Sequence, residues 1–298
     1  MFIVSEPAPP GDIAEGRGHF DQAIALYDPA KHRPLVTRFS VDSRVSVLSY
    51  RSWAIWFLGH PEAALADSDQ AILDAREIGQ AATLMYALLH ASFTYIHCGN
   101  YATATAVLNE VTALAGEKGA LFWEAHGTAQ QGCLFGLTGK ASNAIQMLTS
   151  GITAFRSTGS DSWISARLSY LAKAYADLGQ FDEASRYIGE AMMTVDTTKE
   201  RWWEANIYRM AGEITLMSPE PDATKAQAYF ERALSVARAQ QAKSWELRAA
   251  TSMARLWRDQ GKPQQARELL APIYGWFTEG FDTLDLKQAK GLLAELHD

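Results

Sequence analysis

Residues 168–191 read LSYLAKAYADLGQFDEASRYIGEA. Leu168, Leu171, Ala172 and Tyr175 recur at steps of three and four, which puts them on one face of a helix. Gly179 then ends that helix, because glycine takes up the left-handed backbone of a helix stop without steric cost. Ala184, Ile188 and Ala191 open a second helix with its own apolar face. The stretch is a helix–turn–helix unit, and the rest of the chain repeats it.

Gly59, Gly79, Gly99, Gly119, Gly139, Gly159 and Gly179 fall 20 residues apart. A fixed period of this kind governs the fold before any local motif does. The glycines form two classes. After Gly18, Gly59, Gly99, Gly139, Gly179 and Gly261 the chain reads GHFDQA, GHPEAA, GNYATA, GKASNA, GQFDEA and GKPQQA. Each segment carries an alanine five residues on: Ala23, Ala64, Ala104, Ala144, Ala184 and Ala266. Gly79, Gly119 and Gly159 instead announce the next repeat, in the later ones by tryptophan. Trp123, Trp163 and Trp203 are 40 apart, and Trp245 follows after 42, the loop SPEPDAT near Pro219 absorbing the insertion. The unit is therefore a 40-residue helix pair, A then B. Each helix of about 17 residues is roughly 25 Å long. No segment alternates with β-branched residues, so strands are not expected.

The expected fold is all-α: a solenoid in which each pair buries its apolar face only against its neighbours. Residues 1–17 read as a flexible N-terminal tail. Residues 18–298 read as one solenoid: a half-repeat at 18–40, six helix pairs over 42–280, and a closing helix at 282–297 with Asp282 as its cap. Pro272 is expected to end or bend its helix near Leu270.

Bulk properties exclude several classes. A hydrophobic content of 48% supplies a core, and a net charge of −7 argues against the concentrated basic face of a nucleic-acid binder. The two cysteines, Cys98 and Cys133, form no metal motif and fit a reducing, cytoplasmic setting. The richest apolar run, SVLSYRSWAIWFLG, carries Arg51 in its middle and is no membrane span. The start MFIVSEPAPPG lacks the regions of a signal peptide.

These units resemble tetratricopeptide repeats. The resemblance is carried by Ala172, Tyr175, Gly179, Phe181, Ala184, Ile188 and Ala191 in the unit quoted above. Gly132, Phe135, Gly139, Ala144, Leu148 and Gly151 carry it in the preceding unit, and Gly212, Ala226, Phe230 and Ala233 in the following one. It implies antiparallel helix pairs wound into a right-handed superhelix. The family period is about 34 residues, so the helices here are longer. Segments such as LYDPAKHRPL, RWWEANIYRMAGEITL and SWELRAATSMARLWRDQGK also resemble the C-terminal repeat region of bacterial regulators. Those regulators join a class III adenylate/guanylate cyclase to an AAA-type ATPase. No cyclase or ATPase motif occurs here, so the resemblance implies only a regulatory or scaffolding role.

No catalytic, cofactor or metal site is expected. GLTGKAS around Gly139 lacks the phosphate-loop glycine, since Leu134 stands there, and it lies between helices. No two of the seven histidines make a zinc-binding helix motif. Trp123, Trp163, Trp203 and Trp245 are read chiefly as packing against the preceding helix B, and otherwise as anchors for a ligand.

The concave face of the A helices is the candidate site. Its N-terminal half offers Trp53, Trp56, Tyr86, Phe93, His97 and His126. Its C-terminal half offers Lys173, Asn206, Arg209, Glu213, Arg248, Arg255 and Arg258. An aromatic end and a net basic end suit an extended acidic-aromatic peptide. The plainer alternative is that the charges pair locally, as Arg209 and Glu213 would at i,i+4.

The expectation is a non-enzymatic interaction module in bacterial signalling, binding a protein or peptide and neither nucleic acid nor membrane. A small-molecule sensor is the second reading, marked by a closed pocket near Trp56, Phe93 and His126. Self-association through Phe20, Ala23, Ile24 and Tyr27 of the half-repeat, giving a homodimer, is a third. An enzyme whose site the sequence hides is a fourth.

Overall fold

The computed structural model describes residues 13–159 and 161–296, and its described residues hold no strand. Residues 1–12 of the expected tail, and His297, lie outside them. The described residues begin with α1 (Ile13–Ala25), α2 (Pro29–His32) and α3 (Val36–Phe39). Six A helices follow: α4 (Ser43–Phe57), α6 (Ala81–His97), α8 (Leu121–Leu137), α10 (Ile164–Asp177), α12 (Glu204–Met217) and α14 (Lys243–Asp259). They alternate with the B helices α5 (Pro61–Ile78), α7 (Tyr101–Lys118), α9 (Ala141–Ser157), α11 (Phe181–Thr198), α13 (Ala223–Ala239) and α15 (Pro263–Tyr274). The last helix is α16 (Leu284–Glu295). The fold is an all-α solenoid.

The periodic residues do the work their spacing implies. Ala64, Ala104, Ala144, Ala184 and Ala266 have no exposed surface, because each sits where helix B crosses helix A. The turn glycines from Gly59 to Gly179, and Gly261, all have positive φ, whereas Gly18 lies inside α1 and makes no turn. Where the 40-residue period runs out of glycine, Lys199 (φ 61) and Gln241 (φ 53) adopt the same left-handed stop.

Three expectations differ from the structure. Helix α1 starts inside the supposed tail, and Ala23 is exposed, so α1 is no B helix. Its Phe20 stacks instead on Tyr50 of α4, and the Tyr27 hydroxyl donates to Asp42. Pro272 lies in the last turn of α15, which runs on to Tyr274, so it ends the helix later than expected. Thr283, not Asp282, takes the N-cap position of α16.

The solenoid also closes on itself. The Ser244 hydroxyl of α14 donates to the Trp56 carbonyl of α4, 188 residues earlier. Arg248 donates to the His97 carbonyl at 3.0 Å and to Asp285 at 2.7 Å, joining α14, α6 and α16. Glu279 accepts from the backbone N–H groups of Glu62 and Ala63 at the start of α5. That helix has no side-chain cap of its own, so the far end of the chain supplies one.

Candidate functional site

Closure turns the A helices inward, and their aromatic residues meet at the centre. On α4, Tyr50, Trp53, Trp56 and Phe57 recur at helical spacing. On α6, Tyr86, His90, Phe93 and His97 do the same. Trp53 lies 4.5 Å from Phe93 and 4.8 Å from Trp163, between ring centres. Trp56 lies 4.7 Å from Trp245, and Trp245 lies 4.8 Å from Trp203. Three of the indole N–H groups are satisfied: Trp53 donates to the His90 carbonyl, Trp203 to Ser169 and Trp245 to the Trp202 carbonyl. Trp203 and Trp245 are thus buried, but they make ring contacts with α4, α6 and α10 and with each other, not with the preceding helix B as expected; Trp123 and Trp163 are half-buried.

The aromatic half of the expected groove is therefore a filled interior. Trp53, Trp56, Phe93, His97 and His126 are buried, Asn206 is buried too, and Tyr86 is half-buried. A pocket of about 240 Å³, open on one side, borders this interior. Ile13, Gly16 and Phe20 of α1 cover it, and Tyr50, Trp53, Ala54, Phe57, Trp163 and Trp202 form its walls. It is open and lies toward Trp53 and Trp163, and Trp56, Phe93 and His126 do not line it, so it is not the closed pocket expected of a sensor.

The buried histidines are neutral. Burial pushes His90 down to about 4, with its Nδ1 2.8 Å from the Tyr86 carbonyl. Burial, then the charges of Arg248 and Arg209, holds His97 well below the ordinary range. Arg248 can only donate, so His97 Nδ1, 3.0 Å away, must accept. His126 is likewise held well down by burial, then by Arg167 and His90. Burial raises both cysteine thiols to about 12, which leaves them unreactive.

Arg167 is the least expected member. It is 2% exposed, and none of its guanidinium nitrogens has a hydrogen-bond partner among the described residues. It lies 4.2 Å over the Phe155 ring, and burial lowers it to about 10. Neither nitrogen of His126 has a partner there either. No group of three or more His, Cys, Asp or Glu side chains among the described residues is placed to hold a metal.

The charged half behaves differently. Lys173 pairs with Asp177, and Arg209 with Glu213 at 2.6 Å, which also accepts from Ser252. Arg255 donates to Gln288, and Arg258 pairs with Glu295. Lys173, Arg209 and Arg258 of the net basic end inferred from the sequence are thus paired with acids one turn away or on α16, whereas the Arg255 partner is a neutral amide. Arg248 leaves this set altogether, since it clasps α6 and α16. Lys173, Arg209, Glu213, Arg255 and Arg258 stay half-exposed.

Sequence reasoning missed His90, Arg167 and Trp202 as members of the centre. The doubled tryptophan at 202–203 was a signal for the last of these. Arg167 gave none, because an arginine amid apolar residues reads as a solvated one.

A tetratricopeptide-repeat profile matches residues 166–186 and 247–272. In these stretches the chain is similar to that family. No curated protein matches the chain in sequence. Among solved structures, the apo form of RapI is similar at a TM-score of 0.61 and 12% identity, over 95% of this chain and 97% of that one. A Rap protein complexed with competence and sporulation factor is similar at a TM-score of 0.60 and 12% identity, over 95% of this chain and 79% of that one. BtubC (BKLC) from P. vanneervenii is similar at 0.50 and 17% identity, over 80% of this chain and 92% of that one. At these identities the likeness is one of fold. No helix among the described residues is long and apolar enough to cross a membrane.

Proposed function

We propose that this chain is a non-catalytic interaction module whose protein or peptide partner binds the charged strip of α10, α12 and α14. One observation carries the reading: Lys173, Arg209, Glu213, Arg255 and Arg258 keep part of their surface in solvent on three successive A helices, whereas Trp53, Trp56, Phe93, His97 and His126 are buried. Alternating signs along such a strip suit an extended peptide of mixed charge, which exchanges the local pairs for its own. The fold-mate Rap protein holds its factor on a similar scaffold, which supports binding as the role of this scaffold too. The resemblance of several segments to bacterial cyclase–ATPase regulators supports a signalling setting.

The test is affinity capture from the native cell with the wild-type chain and with Arg255→Glu/Arg258→Glu. Both arginines are half-exposed, so the variant should keep the helical CD spectrum and lose about tenfold or more of the captured partner. Equal capture by the variant would remove the strip from the interface. Light scattering on the same samples reads out a homodimer through α1.

A further inference from the structure

We propose that the interior between α6, α8 and α10 binds a small organic acid, its anionic head on Arg167 and His126 and its apolar body against Trp53, Trp163 and Trp202. The argument starts from Arg167. Its guanidinium presents five N–H donors, is nine-tenths buried or more, and has no acceptor among the described residues. A buried cation in that condition opposes folding, and a buried polar group left unpaired calls for an occupant that pairs it. Cation–π contact with Phe155 at 4.2 Å offsets part of the cost but uses none of the donors.

The neighbours define the ligand's charge. His126 touches the same Phe155 ring, 5.1 Å between centres, and both of its nitrogens are unpaired. Neutral, it still offers one N–H to an anion. His90, with Nε2 unpaired, faces the same tryptophan, Trp163, as His126 does, at 5.4 and 4.4 Å. The acid whose charge reaches Arg167 is Glu200, but its carboxylate accepts the backbone N–H of Trp163 at 2.8 Å. Cys133, the other titratable group acting on Arg167, is a buried thiol. An arginine flanked by neutral donors selects a carboxylate or phosphate, with which its planar fork bonds in two places.

The cavity defines the ligand's body. Trp163 both lines the 240 Å³ chamber under α1 and touches His126. An apolar cavity of about 150 Å³ already holds a benzene ring, so the chamber has room for one aryl group. Trp163 also has φ 64, a left-handed conformation that is strained for a bulky residue. Its N–H bond to Glu200 holds it there. Trp163 borders both the chamber and His126, so on this proposal its side chain shifts when one ligand spans the two.

Isothermal titration and thermal shift with phenylacetate, indole-3-acetate, phenylacetamide and inorganic phosphate test the assignment. The two aryl acids should bind saturably and quench tryptophan fluorescence, with phenylacetamide about tenfold or more weaker for lack of the charge. Arg167→Met should abolish the aryl-acid response while the ligand-free Tm stays level or rises, because methionine fills the space without an unpaired charge. Arg167→Lys keeps the charge but not the fork, and should fold and bind more weakly than the wild type. Aryl acids that bind equally well to wild type and Arg167→Met overturn the proposal. So does the absence of aryl-acid binding to the folded wild type, including the case in which phosphate alone binds. A ligand-free Tm that falls in both variants with the ligand response retained would make Arg167 a structural residue only.

Discussion

His90, His97 and His126 show how a single buried residue ties stability to pH. The unfolded chain takes up these protons near 6.5, whereas burial holds native His90 at about 4 and the other two well below 6.5. Between those values the unfolded state binds more protons, so native stability is complete above the window and falls as pH drops through it. His90 alone accounts for a loss of about 2 kcal/mol by about pH 5, and His97 and His126 act in the same direction. Urea midpoints at about pH 7.5 and 5 measure this, and His90→Gln should make the difference smaller by roughly that amount. A midpoint that does not move with pH would show that these rings are not buried neutral. None of this was legible beforehand: a histidine on an apolar helix face looks the same whether it lines a groove or fills a core.

At the scale of elements, the repeat was readable almost residue by residue. The turn glycines and the alanines after them stand where the period put them. Ala23 broke the series because α1 packs across α4, not within a pair. What the period concealed is that equivalent turns have unequal surroundings. A side chain at Gly179 would meet nothing within 4 Å, whereas one at Gly59 would press on Trp276 at 2.6 Å and on Lys243 at 2.9 Å. Both positions have positive φ, so alanine at either should cost about 1–2 kcal/mol for the left-handed backbone alone. Gly59→Ala should cost about 1–3 kcal/mol more, because it also overpacks the joint between the first turn and α14–α15. Chemical denaturation of the two variants compares them directly. Equal losses would mean that this joint is not made in solution.

At the scale of the molecule, closure is the controlling fact. It converts the face that open solenoids present into a core, and it makes Arg248 a clasp. Removing that side chain strands Asp285 and frees the His97 carbonyl, contacts of 2.7 and 3.0 Å. Arg248→Ala should therefore lower stability by about 2–3 kcal/mol. It should also raise the radius of gyration in small-angle scattering with little change in helical CD. Unchanged scattering together with unchanged stability would argue that the ring holds without the clasp. An opened ring would also expose the aromatic centre, so added fluorescence of a hydrophobic dye is a second readout.

The sequence by itself determined the helices, their pairing and their stops. These depend on contacts between residues a few turns apart, and such contacts leave a period. Only the tertiary structure decided that the ends of the solenoid meet, that most of the aromatic half of the A face is buried, and that Arg167 lies buried without an acceptor among the described residues. Those outcomes depend on the small rotation between successive pairs, summed over six of them. A sum of small rotations writes no motif, so residues 151 and 188 positions apart, Arg248 with His97 and Ser244 with Trp56, meet without a local signal.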